Sequence, residues 1–164
     1  MLAPGDLRMK GNSEKVVARI LANNKELDLL ITCLDEEGDA LRMRCCDAME
    51  KLSRVHPQWF TRYKARLLKA ATMSRQKEVR WHLAQIIPRL SLTPSQQRQA
   101  YTIFQTYLSD TSSIVKAFAM QALVDLAQLD SSLMNETRKT IQSLTKTGTP
   151  AMQSRGRQLL KCLT

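Results

Sequence analysis

Four cysteines (Cys33, Cys45, Cys46, Cys162) and two histidines (His56, His82) are the residues of this chain best suited to hold a metal or to attack an electrophile. Their spacing argues against both. No pair forms CxxC, adjacent Cys45 and Cys46 point in different directions on a helix, and only two histidines could complete a zinc set. The thiols read instead as small buried or half-buried apolar residues in a reducing compartment. His56 precedes Pro57 at a helix boundary, His82 sits on a helix flank, and neither has a nucleophile or metal partner in the sequence. Gly-rich phosphate loops and GxSxG are absent. The expectation is a non-catalytic chain with no cofactor and no metal.

Charge is the next chemistry. Formal net charge is +10, unevenly spread. Residues 25–39 carry Glu26, Asp28, Asp35, Glu36, Glu37 and Asp39 against Lys25, a balance of −5. Residues 51–80 carry nine bases against Glu78, a balance of +8. Within that block Arg62, Arg66 and Lys69 fall at i, i+4 and i+7, one helix face, with Arg75 and Lys77 following in a turn. Such a patch suits phosphates, acidic proteins or lipid headgroups without reading sequence. It also reads as an ordinary solvated face.

The elements that must position these groups are helical. The 164 residues are 43% hydrophobic but only 5% aromatic, and helix formers dominate over β-branched runs. No apolar stretch approaches the ~20 residues of a membrane span. Residues 1–12 lack the basic-then-apolar profile of a signal peptide and read as a flexible segment. The expected location is cytoplasmic, or nuclear in a eukaryote.

A repeat organises the rest. Segments starting at Leu41, Val79, Val115 and Met152, spaced by 38, 36 and 37 residues, share apolar positions at offsets 0, 4, 7, 8 and 11. These read Leu41/Val79/Val115/Met152, Cys45/Leu83/Ala119/Gly156, Ala48/Ile86/Ala122/Leu159, Met49/Ile87/Leu123/Leu160 and Leu52/Leu90/Leu126/Leu163. At 100° per residue they form one helix face. A second apolar helix precedes each: Lys25–Leu34, Gln58–Ala71, Gln96–Leu108 and Asn135–Leu144. Thr93-Pro94 and Thr149-Pro150 supply a cap hydroxyl before a helix-starting Pro, and Thr93 with Gln96 has capping-box spacing. A further helix near Ser13–Ala22 is expected to cap the N-terminal end.

The stretch Leu108-Ser109-Asp110 with Val115-Lys116, Ala119, Ala122 and Leu123 resembles the HEAT-repeat pattern, as does Leu34-Asp35 with Leu41-Arg42, Cys45, Ala48 and Met49. The second unit has Ser74 where Asp would stand. The fourth departs most, with Thr147, Gln153 and Gly156. The resemblance implies a right-handed α-α superhelix (solenoid) of about four helix pairs, residues 25–55, 57–90, 94–128 and 131–163, in one domain over 13–164. It also implies that Arg42, Arg80 and Lys116 bond the loop acids Asp35 or Asp110 and stitch repeats together.

In HEAT proteins the second helix of each pair lines the concave surface. The outward positions are then offsets 2, 6, 9 and 13: Met43, Trp81, Ala117 and Ser154; Asp47, Gln85, Gln121 and Gln158; Glu50, Pro88, Val124 and Lys161; Arg54, Leu92 and Gln128. This groove reads as an apolar and amide wall, with Met43, Asp47, Trp81, Gln85, Gln121 and Gln158 as candidate partner-binding residues. Trp81 is either an anchor for a partner peptide or ordinary core. The patch of Arg62, Arg66, Lys69, Arg75 and Lys77 falls on the convex side. The expected function is a protein-interaction scaffold, with nucleic-acid or other polyanion binding as the alternative. Self-association through the C-terminal repeat is a further expectation. Trp81 near Asp47 and Glu50 is also similar to the cleft of HEAT-like alkyl-DNA glycosylases, but the groove lacks their basic charge and aromatic content.

Overall fold

Helix boundaries follow the capping chemistry. Thr93 accepts the Gln96 backbone N–H while the Gln96 side chain accepts that of Thr93, a complete capping box ahead of Pro94. Ser112 and Thr149 cap through Val115 and Met152 in the same way. The turn before the helix starting at Asp39 needs φ of +112° at Gly38, a conformation open to glycine.

The computed structural model describes residues 13–163, so the expected flexible segment 1–12 lies outside the described residues. Among these residues there are nine α-helices and no strand. They are α1 (Ser13–Ala22), α2 (Leu27–Thr32), α3 (Asp39–Val55), α4 (Lys64–Met73), α5 (Lys77–Ile86), α6 (Pro94–Tyr107), α7 (Ser113–Leu129), α8 (Met134–Thr147) and α9 (Pro150–Leu160). The architecture is all-α, built from HEAT-like pairs α2/α3, α4/α5, α6/α7 and α8/α9, with α1 as the additional helix. Short 3-10 turns precede α2 and α4 where the sequence suggested continuous helix, and another precedes α8. The longest, Pro57–Tyr63, begins at a proline without a side-chain cap and still buries Phe60 and Tyr63.

Contacts divide the chain between Ser91 and Leu92 into two compact units. In the first, α3 packs against α5 and α1 against α3. Arg42 meets Gln76 and Glu50 meets Arg89, so α3 and α5 run parallel. Helix α1 runs the other way: Ser13 and Glu14 meet Lys51, while Ile20 lines a hollow with Leu30 and Leu41. In the second unit α7 packs against α9, and each also packs against its own first helix, α6 or α8.

Nearly every repeat position is buried, and only Leu41 and Leu160 are half-buried. The buried arc is wider than that face, however. Offset 9 was expected to point outward, yet Glu50, Pro88 and Val124 are all buried. Offsets 5, 9 and 12 of α3 and α7 face the following second helix. Arg89 covers Glu50 in the first unit, and Met120 and Val124 join Ile141, Met152 and Leu159 in the second. A second helix flanked on both sides and backed by its partner exposes only a narrow strip.

Two contacts set the closeness of this packing. A Cβ on Gly156 would stand 2.1 Å from Thr145 Oγ1 and 3.3 Å from Met120 Cε, so α9 approaches both α8 and α7 there because no side chain intervenes. Buried Glu50 accepts Arg89 Nη2 and Arg54 Nε, each at 2.8 Å, and Arg89 also donates to Ser53 Oγ at 2.9 Å. Gly156→Ala is expected to destabilise by about 1–3 kcal/mol through overpacking, despite better helix propensity. Arg89→Ala strips the inter-helix partner from a buried carboxylate and should cost about 3 kcal/mol. Arg54 is 60% exposed, and Arg54→Ala should cost only about 0.5 kcal/mol. Urea unfolding of the three variants checks this ordering.

Candidate functional site

The accessible strip of the second helices is carried by offsets 2, 6 and 13. In the first unit it comprises Met43 and Asp47 on α3 and Trp81 and Gln85 on α5, all half-buried. In the second unit it comprises Gln121 on α7, half-buried, and Gln158 on α9, exposed. Both sets of candidate residues therefore lie on the strip, each within its own unit.

Trp81 is held in place. Its indole stacks on the His82 ring with centroids 3.8 Å apart and planes at 25°. His82 is buried, and its Nδ1 lies 2.6 Å from the Glu78 carbonyl, which can only accept, so Nδ1 carries the proton. The other nitrogen, Nε2, faces Asp47 Oδ1 at 4.0 Å. Asp47 is itself bonded by Lys51 Nζ at 2.8 Å and by Ser13. Lys51 also pairs with Glu14. The wall thus has a polar underlayer of Ser13, Asp47, Lys51 and His82 that fixes the indole from below.

The amides are less free than their exposure suggests. Gln85 donates to the Trp81 carbonyl at 3.2 Å, and Gln121 donates to Asp125 Oδ1 at 2.7 Å. Gln158 is exposed, and its backbone carbonyl accepts the Lys161 N–H at 3.2 Å and a long contact from the Cys162 thiol at 3.9 Å. On α9 the positions equivalent to the buried offsets 5 and 9 are Arg157 and Lys161, both exposed.

The five candidate polyanion-binding residues separate. Arg62 donates to Asp28 at 2.6 Å, and Tyr63 bonds the same carboxylate. Arg66 pairs with Asp35. The acidic and basic blocks of the sequence therefore face each other across the first helices of adjacent pairs. Lys77 lies 3.9 Å from Glu78. Lys69 and Arg75, both exposed, line a cleft with Arg66.

Arg42 keeps its stitching role with different partners. Arg42 was expected to bond Asp35, which Arg66 takes instead. Arg42 bonds Asp39, the Glu36 carbonyl at 2.6 Å and Gln76 Oε1 at 3.0 Å. Arg80 donates to the carbonyl of Ser74, the residue standing where Asp was expected, at 2.7 Å. In the third pair Asp110 accepts the Ser112 backbone N–H at 2.7 Å, and Lys116 does not reach it.

Cys45 and Cys46 are buried, Cys33 is half-buried and Cys162 is exposed. The Cys45 thiol bonds Cys33 and holds it down to about 7, while that bond and burial push Cys45 up. Among the described residues no three His, Cys, Asp or Glu side chains gather as a metal site would need. No helix among them is long and apolar enough to cross a membrane.

Sequence reasoning missed Glu50, Arg89 and Ser13 as partners of this wall. The i,i+4 spacing of Asp47–Lys51 and Glu50–Arg54 was visible in the sequence. The bonds to Arg89 and Ser13 join residues more than thirty positions apart and left no local signal.

Burial pushes the His82 imidazole below its ordinary 6.5, against the Glu78 carbonyl and the carboxylates of Asp47, Glu50 and Glu78, which pull upward without prevailing. Burial likewise opposes ionisation of Asp47, but bonds from Lys51 and Ser13 outweigh it and hold that carboxyl below 3.8. The unfolded chain protonates His82 near 6.5 while the folded ring stays neutral to lower pH. Stability from this group is therefore full above 6.5 and is lost as pH falls through the folded pKa. Urea midpoints measured from about pH 8 to about pH 5 should fall for the native chain and fall less for His82→Gln.

Comparison with known proteins agrees with an all-helical HEAT-like fold. A family model described as HEAT repeat domain matches residues 7–163. No curated protein and no solved structure matches the chain. A match over almost the whole length, together with four helix pairs whose repeat positions are buried in register, places this chain in the HEAT repeat domain family.

Proposed function

We propose that this chain is a non-catalytic protein-binding module that receives its partner on the α3–α5 strip of the first unit, around Trp81. HEAT repeats generally mediate protein–protein interaction or scaffolding and are typically non-enzymatic. The observation that carries the reading is the half-buried Trp81 stacked on a buried, hydrogen-bonded His82. An aromatic side chain fixed before binding loses little entropy on contact, which is how interface anchors work. Met43 extends the apolar surface beside it, and Asp47 and Gln85 supply polar groups at its rim. In the second unit Gln121 and Gln158 offer hydrogen bonds on the corresponding strip.

Protein binding is preferred over phosphate recognition because two of the expected cations, Arg62 and Arg66, are engaged by Asp28 and Asp35. The carboxylates of this wall also serve as structural partners, Glu50 buried under two arginines and Asp47 bonded to Lys51.

Partners recovered by crosslinking with the intact chain provide the test. Trp81→Ala should weaken binding of a genuine partner by roughly 30-fold, the scale of an interface anchor. Trp59→Ala, away from the strip, should leave it within about twofold. Unchanged affinity of every recovered partner after Trp81→Ala would remove this site from consideration.

A further inference from the structure

An open cleft of about 800 Å³ lies within the first unit, between the turn joining α2 to α3 and the turn joining α4 to α5. It shares no residue with the strip around Trp81, so a ligand in the cleft is independent of a partner on that strip. Its charge is lopsided in a specific way. Arg42, Arg66, Lys69 and Arg75 line it against Asp35 and Asp39. Both carboxylates are spent, Asp39 on Arg42 and Asp35 on Arg66. The side chains of Lys69 and Arg75 have no hydrogen bond or ion pair with any described residue.

The remainder of the lining is aliphatic. Leu34, Ala65, Ala70 and Val79 contribute, and Met73 is 70% exposed. Met73 stands one turn after Lys69 on the same face of α4, placing a free cation beside a flexible apolar side chain.

From this charge complementarity we infer that the cleft binds an acidic segment of a partner protein in extended form. Carboxylates of that segment pair with Lys69 and Arg75, and an apolar side chain between them packs on Met73 and the aliphatic floor. A nucleic-acid strand fits less well. No aromatic residue lines the cleft to stack a base. The volume matches the scale on which a few side chains, rather than a long polymer, are held.

Fluorescence anisotropy on the full chain at low ionic strength tests this. The probes are a labelled peptide of Glu and Leu, a Lys-and-Leu peptide of equal length, and an oligothymidylate of equal net charge. The Glu-and-Leu peptide should bind and the Lys-and-Leu peptide should not. Lys69→Glu with Arg75→Glu should weaken binding at least about tenfold. Lys15→Glu with Lys139→Glu, the same change of net charge at exposed positions outside the cleft, should weaken it less than about threefold. Met73→Ser should weaken it about threefold, and Trp81→Ala should leave it within about twofold. All the substituted side chains but Trp81 are exposed, and circular dichroism confirms that each variant remains helical. Absence of saturable binding by about 1 mM peptide overturns the proposal, as does equal loss in the two charge-reversed doubles. Tighter binding of the oligothymidylate, lost with the same Lys69 and Arg75 changes, overturns it in favour of nucleic acid.

Discussion

Each unit depends on the packing of one second helix against the next, α3 against α5 and α7 against α9. A single amphipathic helix pair has more apolar surface than its two members can hide from each other, so each pair needs a neighbour. Here α3 is covered by α1, by its own first helix α2 and by α5. This packing sets where small side chains must stand: Cys45 and Ala119 are fully buried at the same register as Gly156, where a single added carbon would collide with Thr145. It also determines what is left for function. A helix so enclosed presents only a strip about two positions wide, and Met43, Asp47, Trp81 and Gln85 are what the sequence places on it. Asp47 on that strip is held by Lys51 and Ser13, and just beneath it buried His82 bonds the Glu78 carbonyl and buried Glu50 bonds Arg89.

Much of the fold was legible because its signal is local and repeated. Capping at Thr93 and Thr149 needs only residues three apart, and the apolar register recurs four times. A helix near Ser13–Ala22 was also expected, and α1 spans those residues. What stayed illegible was pairwise. Offset 9 looks exposed on an isolated helix, and only the neighbour reveals that Glu50 and Val124 are covered. The Arg42 partner was misassigned for the same reason: two acids, Asp35 and Asp39, lie near it in sequence, and competition from Arg66 decides between them. The candidate strip was found at offsets 2 and 6, whereas the free state of Lys69 and Arg75 became visible only once the pairs around them were known. Composition alone made the whole basic block look available.

The bonds of Arg62 to Asp28 and of Arg66 to Asp35 have a consequence beyond neutralising charge. Repeats grown from a common pattern resemble one another, and similar modules can associate in the wrong order. Here α2 presents acids and the segment leading into α4 presents bases, so this junction carries an address. A copy of the second repeat set beside itself would oppose guanidinium with guanidinium, and a copy of the first would oppose carboxylate with carboxylate. The apolar register makes any two of these modules stackable; the charged pairs specify which two. Sequence order in the first unit is thereby written twice, once in the chain and once on its surface.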